Sequence, residues 1–213
     1  MMWLKFDENG KPKDGYSKPY CYHIDQFESL RPVYMKVIEY ARLMGLDMIQ
    51  GDHEDAPGQL ELNFTFDDVL RNADRLTTYR QICAQVAREF GIFACFMSKP
   101  FMGVSASGCH HNMSLWRGGE DVFIPMGNDP KNLPGMQENY MHVKGGENTF
   151  MPDGDDPQMP QKAGLEAIGG IVHHLRALTA IGCSTVNSYR RLWDTGFWAC
   201  LLYTSDAADD TCC

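Results

Sequence analysis

Apolar positions recur along the chain with two different periods, and each change of period marks an element. Residues 1–6 are short and apolar enough for a strand, followed by a polar turn at Asp7-Glu8-Asn9-Gly10. Over about 29–44, Val33, Val37, Tyr40, Ala41 and Met44 keep helical spacing; Gly45 is placed to end that helix, and Pro32 fits only its first turn. Asp67 stands where it would cap a second helix with Val69, Leu70, Ala73, Leu76, Ile82, Cys83 and Val86 on one face and Gly91 as its stop. Both helices read as core packing, with Cys83 a buried filler. Residues 92–97 form a further apolar strand. From about Pro160, Leu165, Ile168, Ile171, Val172, Leu175 and Leu178 restore the helical period up to Gly182, with His173 and His174 as ordinary helix residues.

Period two dominates 51–64, GDHEDAPGQLELNF. Ala56-Pro57-Gly58 favours a turn, and Leu60, Leu62 and Phe64 alternate with Gln59, Glu61 and Asn63, which predicts a hairpin. With the turn symmetric about residues 57 and 58, Glu54 faces Glu61. Like charges directly opposed across antiparallel strands are unfavourable unless a proton or a cation lies between them. A divalent metal resolves this, and hard oxygen donors favour magnesium or manganese over zinc. A solvated acidic hairpin satisfies the spacing equally well. In 107–116 the same period sends Cys109, His111, Met113 and Leu115 one way and His110, Asn112, Ser114 and Trp116 the other. Cys109-His110-His111 suggests zinc, but neighbours on a strand point to opposite faces, so zinc is the weaker reading. Residues 117–157 lack periodicity and predict a long irregular connection, either a surface insertion or a lid or oligomer contact.

With 44% hydrophobic and 22% charged residues, the 213-residue chain has the composition of a soluble globular protein of one domain. Its net charge of -9 disfavours nucleic acid and anionic membranes as partners. It carries neither an apolar run of membrane-spanning length nor a signal core, and the cytoplasm is the expected compartment. Its eight cysteines are scattered without a CxxC, which points to reduced thiols.

His53-Glu54, Ala56-Pro57-Gly58-Gln59 and Glu61 resemble the metal-binding hairpin of the glutamine synthetase family. The likeness continues in order through Phe96-Met97-Ser98-Lys99-Pro100-Phe101, Ser107-Gly108-Cys109-His110, Met113-Ser114-Leu115 and Asn187-Ser188-Tyr189-Arg190-Arg191-Leu192, and covers most of 20–199. The resemblance implies an α/β fold of the α+β kind, a curved antiparallel sheet backed by helices, assembled when full length into a ring-shaped homo-oligomer. It also implies an ATP-dependent ligase that phosphorylates the side-chain carboxylate of glutamate and lets ammonia or a primary amine displace the phosphate. In that scheme Glu54 and Glu61 hold the magnesium or manganese ion nearer glutamate, and His110 holds the ion bridging the ATP phosphates. Asn112 and Ser114 match nucleotide-contacting positions, Ser105-Ala106 takes the place of an Asn-Gly beside bound glutamate, and Arg191 neutralises the transferring phosphoryl group. Glu54, Glu61 and His110 are therefore expected to converge on one polar cavity.

The departures from the family pattern are informative. A second histidine usually stands at Asn112, and Ala106 adds a methyl group where a glycine allows close approach. Six residues after Arg191, where ammonia-using members place a glutamate, stands Phe197, followed by Trp198; an aromatic pair suits a substituted amine better than ammonium. The Glu-x-Glu strand and the small amino-terminal domain of the family are absent. Residues 1–199 are thus expected to be a partial catalytic domain, inactive alone, and CLLYTSDAADDTCC at 200–213 a non-native tail. The reading from a different class is a non-catalytic homologue that binds glutamate or nucleotide.

Overall fold

Met2, Trp3 and Leu4 are apolar without alternation, and the strand they open is buried on both faces. In the computed structural model, which describes residues 1–14, 21–119, 122–125, 140–143, 145–150 and 162–192, this strand β1 (Met2–Phe6) is the centre of an antiparallel sheet. Its neighbours are β2 (Pro12–Asp14), reached through the expected polar turn, and β5 (Phe93–Cys95), inside the stretch expected to be a strand. Between them lie helix α1 (Ile24–Leu43), the hairpin of β3 (Met48–His53) and β4 (Leu60–Phe64), and helix α2 (Val69–Glu89). Trp3 enters the main core with Val37, Leu60, Cys83 and Val86, while Met2 and Leu4 face a second cluster with Ala56 and Cys95. Full burial of side chains of this size contributes roughly 2–3 kcal/mol each, so β1 anchors both layers.

The described residues divide into two compact units, one of 1–108 with 185–192 and the other within Cys109–Ser184. In the first unit the helices differ in detail from the periodicity. Helix α1 begins five residues earlier than expected, because Phe27 and Leu30 extend its apolar face into the core. Pro32 therefore lies inside the helix, removing the bond that Glu28 would have received from an amide there. Helix α2 is capped by Asp68, whose carboxylate accepts from the Arg71 amide at 3.0 Å. Asp67 instead pairs with Arg75 at 2.9 Å. The buried face of α2 is Tyr79, Ile82, Cys83, Val86 and Ala87, whereas Val69 is 86% exposed and Leu70 is also outside the core. The first turn of α2 precedes the point where the helix meets the sheet, and periodicity alone does not mark that point.

The second unit contains strands where the sequence predicted an irregular connection. β6 (Trp116–Arg117) pairs with β9 (Glu147–Asn148), and β7 (Val122–Pro125) pairs with β8 (Tyr140–Val143). Gly119 and Gly146, both at positive φ, let the backbone cross so closely that a Cβ on Gly119 would stand 2.1 Å from the Gly146 nitrogen. The strand expected over 107–116 is not formed up to residue 115; among the described residues, 105–115 join no ladder. Helix α3 (Lys162–Gly182) matches its expected span, but Gly164 is its one buried residue among those described, and Ile168, Ile171 and Val172 are exposed. None of the described helices is long and apolar enough to cross a membrane. The five described cysteines form no disulfide. The stretch 200–213 and Phe197 lie outside the described residues.

Candidate functional site

The hairpin turn is built by its own residues. The Gln59 amide donates to the Ala56 carbonyl at 2.9 Å, with Pro57 and Gly58 as the central pair and Gly58 at a φ of 70°, the left-handed third position of a type II turn. The Gly58 carbonyl accepts from Trp3 at 2.8 Å and the Leu60 amide donates to Met1 at 3.0 Å, so β1 holds the turn from one side. From the other, α1 lies on β3 at Gly51, where a Cβ would meet the Tyr34 hydroxyl at 1.6 Å; glycine there lets the helix reach the hairpin.

The register corrects the expected acid pair. His53 is opposite Leu60 and Asp52 is opposite Glu61, because the Glu54 amide already bonds to the Gln59 carbonyl at 2.9 Å and Asp55 is looped out. The slip is of two residues, which keeps every side chain on its face. Glu54 and Glu61 remain same-face neighbours, and Asp52 joins them. Glu54 is 5% exposed, and its carboxyl is pushed up to about 7 by burial first and then by the Glu61 charge, with Asp52 adding and the Met1 ammonium opposing. Glu61 accepts from Asn63 at 3.0 Å. A buried carboxyl held among carboxylates fits a hard divalent cation by donor chemistry. The set is partial: among the described residues no three His, Cys, Asp or Glu side chains are grouped to hold a metal ion.

The hairpin is bolted to the loop that carries Ser105 and Ala106. Gln59 is buried; its carboxamide oxygen accepts from Ala56 at 3.1 Å, and its nitrogen donates to the Ala106 carbonyl at 3.0 Å and the Ser107 hydroxyl at 3.3 Å. Ser105 donates to the Asp55 carboxylate, which explains the looped-out residue. Lys99, 2% exposed, closes the same loop by donating to the Val104 carbonyl. Its ammonium is pulled below the usual lysine range by burial and then by the Arg191 charge.

Arg191 sits in a 3-10 turn, Arg190–Leu192, directly after the short helix α4 (Val186–Tyr189). That helix is capped by Thr185, whose hydroxyl accepts from the Ser188 amide at 3.2 Å. Arg191 Nε is buried without a hydrogen-bond partner among the described residues. The first unit thus brings together Glu54, Glu61, Ser105 and Ala106, and Asn187 bonds the segment carrying Arg191 to Lys99 at the start of the same loop.

His110, Asn112 and Ser114 belong to the second unit and are all exposed. Ser114 accepts from the Trp116 indole at 2.8 Å, and Cys109 Sγ lies 3.6 Å from His111 Nε2. Sequence reasoning assigned no role to Gln59, Lys99, Asp55 or Asn187. Gln59, Lys99 and Asn187 stood inside the quoted motifs, but a buried carboxamide or ammonium has no periodic signature; only its partners reveal its work.

An antiparallel sheet with backing helices and an acid-bearing hairpin defines a domain of α+β type. The chain belongs to the glutamine synthetase catalytic-domain family, whose family model matches residues 2–142 and 129–213. It is 33% identical over 181 residues to the glutamate–methylamine ligase of Methyloversatilis universalis, a match covering 85% of this chain and 35% of that protein. It is 32% identical over 194 residues to the glutamine synthetase of Methanosarcina mazei, covering 89% and 36%. Among solved structures, ligand-free GmaS superimposes with a TM-score of 0.63 at 28% identity, over 89% of this chain and 39% of that one. A GmaS–ADP complex gives 0.64 at 27% identity, over 90% and 39%. The chain spans about a third of the length of the curated relatives it matches.

Proposed function

We propose that this chain is part of an ATP-dependent ligase that makes the γ-amide of glutamate through a γ-glutamyl phosphate. The observation that carries the reading is the buried Glu54 carboxyl beside Glu61, bolted through Gln59 to the Ser105–Ala106 loop, in a chain of this family. The physical difficulty of the reaction is bringing an anionic carboxylate against a triphosphate. A magnesium or manganese ion, when bound, supplies the charge neutralisation that this requires. Glu54 and Glu61 would hold the ion nearer glutamate, and His110 the ion nearer the nucleotide. Asn112 and Ser114 would contact ATP, Ser105 and Ala106 would border glutamate, and Arg191 would stabilise the transferring phosphoryl group. A planar, permanently charged guanidinium with a buried Nε still lacking an acceptor suits that task.

Ammonia is the default nucleophile. Two observations favour a primary amine instead: the relative that acts as a glutamate–methylamine ligase, and Phe197-Trp198 in place of an acidic residue. Residues 1–199 would be a partial catalytic domain with 200–213 a non-native tail, working in the cytoplasm as part of a ring-shaped homo-oligomer. The test is ADP release by the complete gene product with glutamate plus ammonium, methylamine or longer amines. Release with one amine and not with ammonium would select the amine ligase; release with none would sink the ligase reading.

A further inference from the structure

Helix α4 and the turn after it bury little that could hold them in place: Ser188 is the one buried residue of α4, and Val186 is 83% exposed. Asn187 makes two bonds that attach them to the loop after β5. Its carboxamide oxygen accepts from the Lys99 amide at 2.7 Å and its nitrogen donates to the Lys99 carbonyl at 2.7 Å, satisfying both backbone groups of one residue as a neighbouring strand would. The Ser98 and Ser188 hydroxyls meet beside it at 3.3 Å. Four residues on stands Arg191, whose charge adds to burial in pulling the Lys99 ammonium below the usual lysine range. Arg191 Nε is buried there with no acceptor among the described residues. Among the described residues, the hydrogen bonds that tie this segment down are the pair from Asn187 and the single hydroxyl contact of Ser188, and Asn187 supplies the two shorter ones.

We infer that Asn187 is a positioning residue, a two-bond clamp that holds α4, and with it the turn carrying Arg191, on the loop at Lys99. The part of this that concerns catalysis rests on the reading of Arg191 as the phosphoryl-stabilising group; the clamp itself does not. An anion arriving at the pair would meet donors already in place, with no ordering cost at that moment.

Two measurements test it separately. On this chain, trypsin should cut Asn187→Ala after Arg190 and Arg191 at least about tenfold faster than wild type, relative to cutting after Arg80 in α2, because cleavage follows the population of the opened segment. Asn187→Asp, which keeps the acceptor for the Lys99 amide and loses the donor to the Lys99 carbonyl, should fall between them; it serves as the test if the alanine variant does not fold. Unchanged cutting overturns the clamp, whether or not the protein proves to be a ligase. In the complete gene product, Asn187→Ala should lower kcat on the order of tenfold to a hundredfold, as small misplacements of catalytic groups do. The KM for glutamate should stay within about a factor of two, because the lost contact is made in the transition state. In an Arg191→Ala background the same substitution should cost less than about threefold, since residues that act through one another are not additive. An equal loss in both backgrounds overturns the positioning role.

Discussion

Residues 51–64 and 107–116 carry the same alternation, and only the first became a pair of strands. The hairpin has its partner within the same stretch: Pro57-Gly58 reverses the chain, so Leu60, Leu62 and Glu61 find His53, Gly51 and Asp52 at once. Up to Leu115 the second stretch has no ladder partner among the described residues, and pairing begins at Trp116 with Asn148, thirty-two residues away. Alternation thus states which side chains would share a face. A strand needs backbone bonds from somewhere, and a local turn is the nearest source. The chemical consequence is that the hairpin buries a carboxyl, while His110 is left exposed.

The largest expected difference between the two regions is in packing. Leu60 is fully buried between β1 and the helices, so Leu60→Ala should cost about 2–5 kcal/mol, whereas Met113→Ala, 68% exposed, should stay within about 0.5 kcal/mol. Urea midpoints of the two variants check this; similar losses would show that the exposed stretch is packed in solution.

Next in size is the pH dependence of the hairpin. Glu54 titrates near 7 in the folded chain, above the usual carboxyl value of 4.5, so the native state binds more protons than the unfolded state between those values. Its contribution is therefore fully present below about 4.5 and is lost as pH rises through about 7, a fall on the order of 3 kcal/mol in metal-free buffer. Glu54→Gln should flatten the profile, and magnesium should restore stability at neutral pH in the wild type. Denaturation midpoints measured from pH 4.5 to 8 in chelator and in magnesium decide it; a wild-type profile that is flat or rising in chelator would rule out the buried acid pair.

A smaller effect sharpens the role of the turn. Gly58→Ala places a Cβ at a φ of 70° and should destabilise by about 1 kcal/mol, measured as a lowered thermal midpoint. The smallest expected effect is at His110. Its replacement by alanine should move stability by no more than about 0.5 kcal/mol, while the ADP release expected of the complete gene product on the proposed ligase reading falls sharply. A His110 variant with full activity would remove that residue from the site.

Much of the architecture was legible without coordinates because helices and hairpins are local. The spans of α2 and α3, the strand β1, the polar turn after it and the Pro57-Gly58 turn follow from residue spacing and from what proline and glycine permit. Membership of the family was legible for a different reason: Glu54, Glu61 and Arg191 stand in motifs whose order resembles one family, and the family match bears out the resemblance.

What remained hidden was decided between distant segments. Nothing near Asp55 says that it leaves the strand to meet Ser105, yet that contact accompanies the two-residue slip that brings Asp52 opposite Glu61. Periodicity finds the apolar face of α3 as readily as that of α2, but it does not say that the lower half of α2 meets β1 and β5 while Ile181 of α3 stays 76% exposed. Gln59 and Asn187 are carboxamides that any surface could carry. Their work comes from burial beside backbone groups 47 and 88 residues away, where an unmet polar atom is costly and a met one fixes position. Local sequence sets dihedral preferences and faces; which faces meet, and which polar atoms are satisfied when water leaves, depends on the whole chain closing at once.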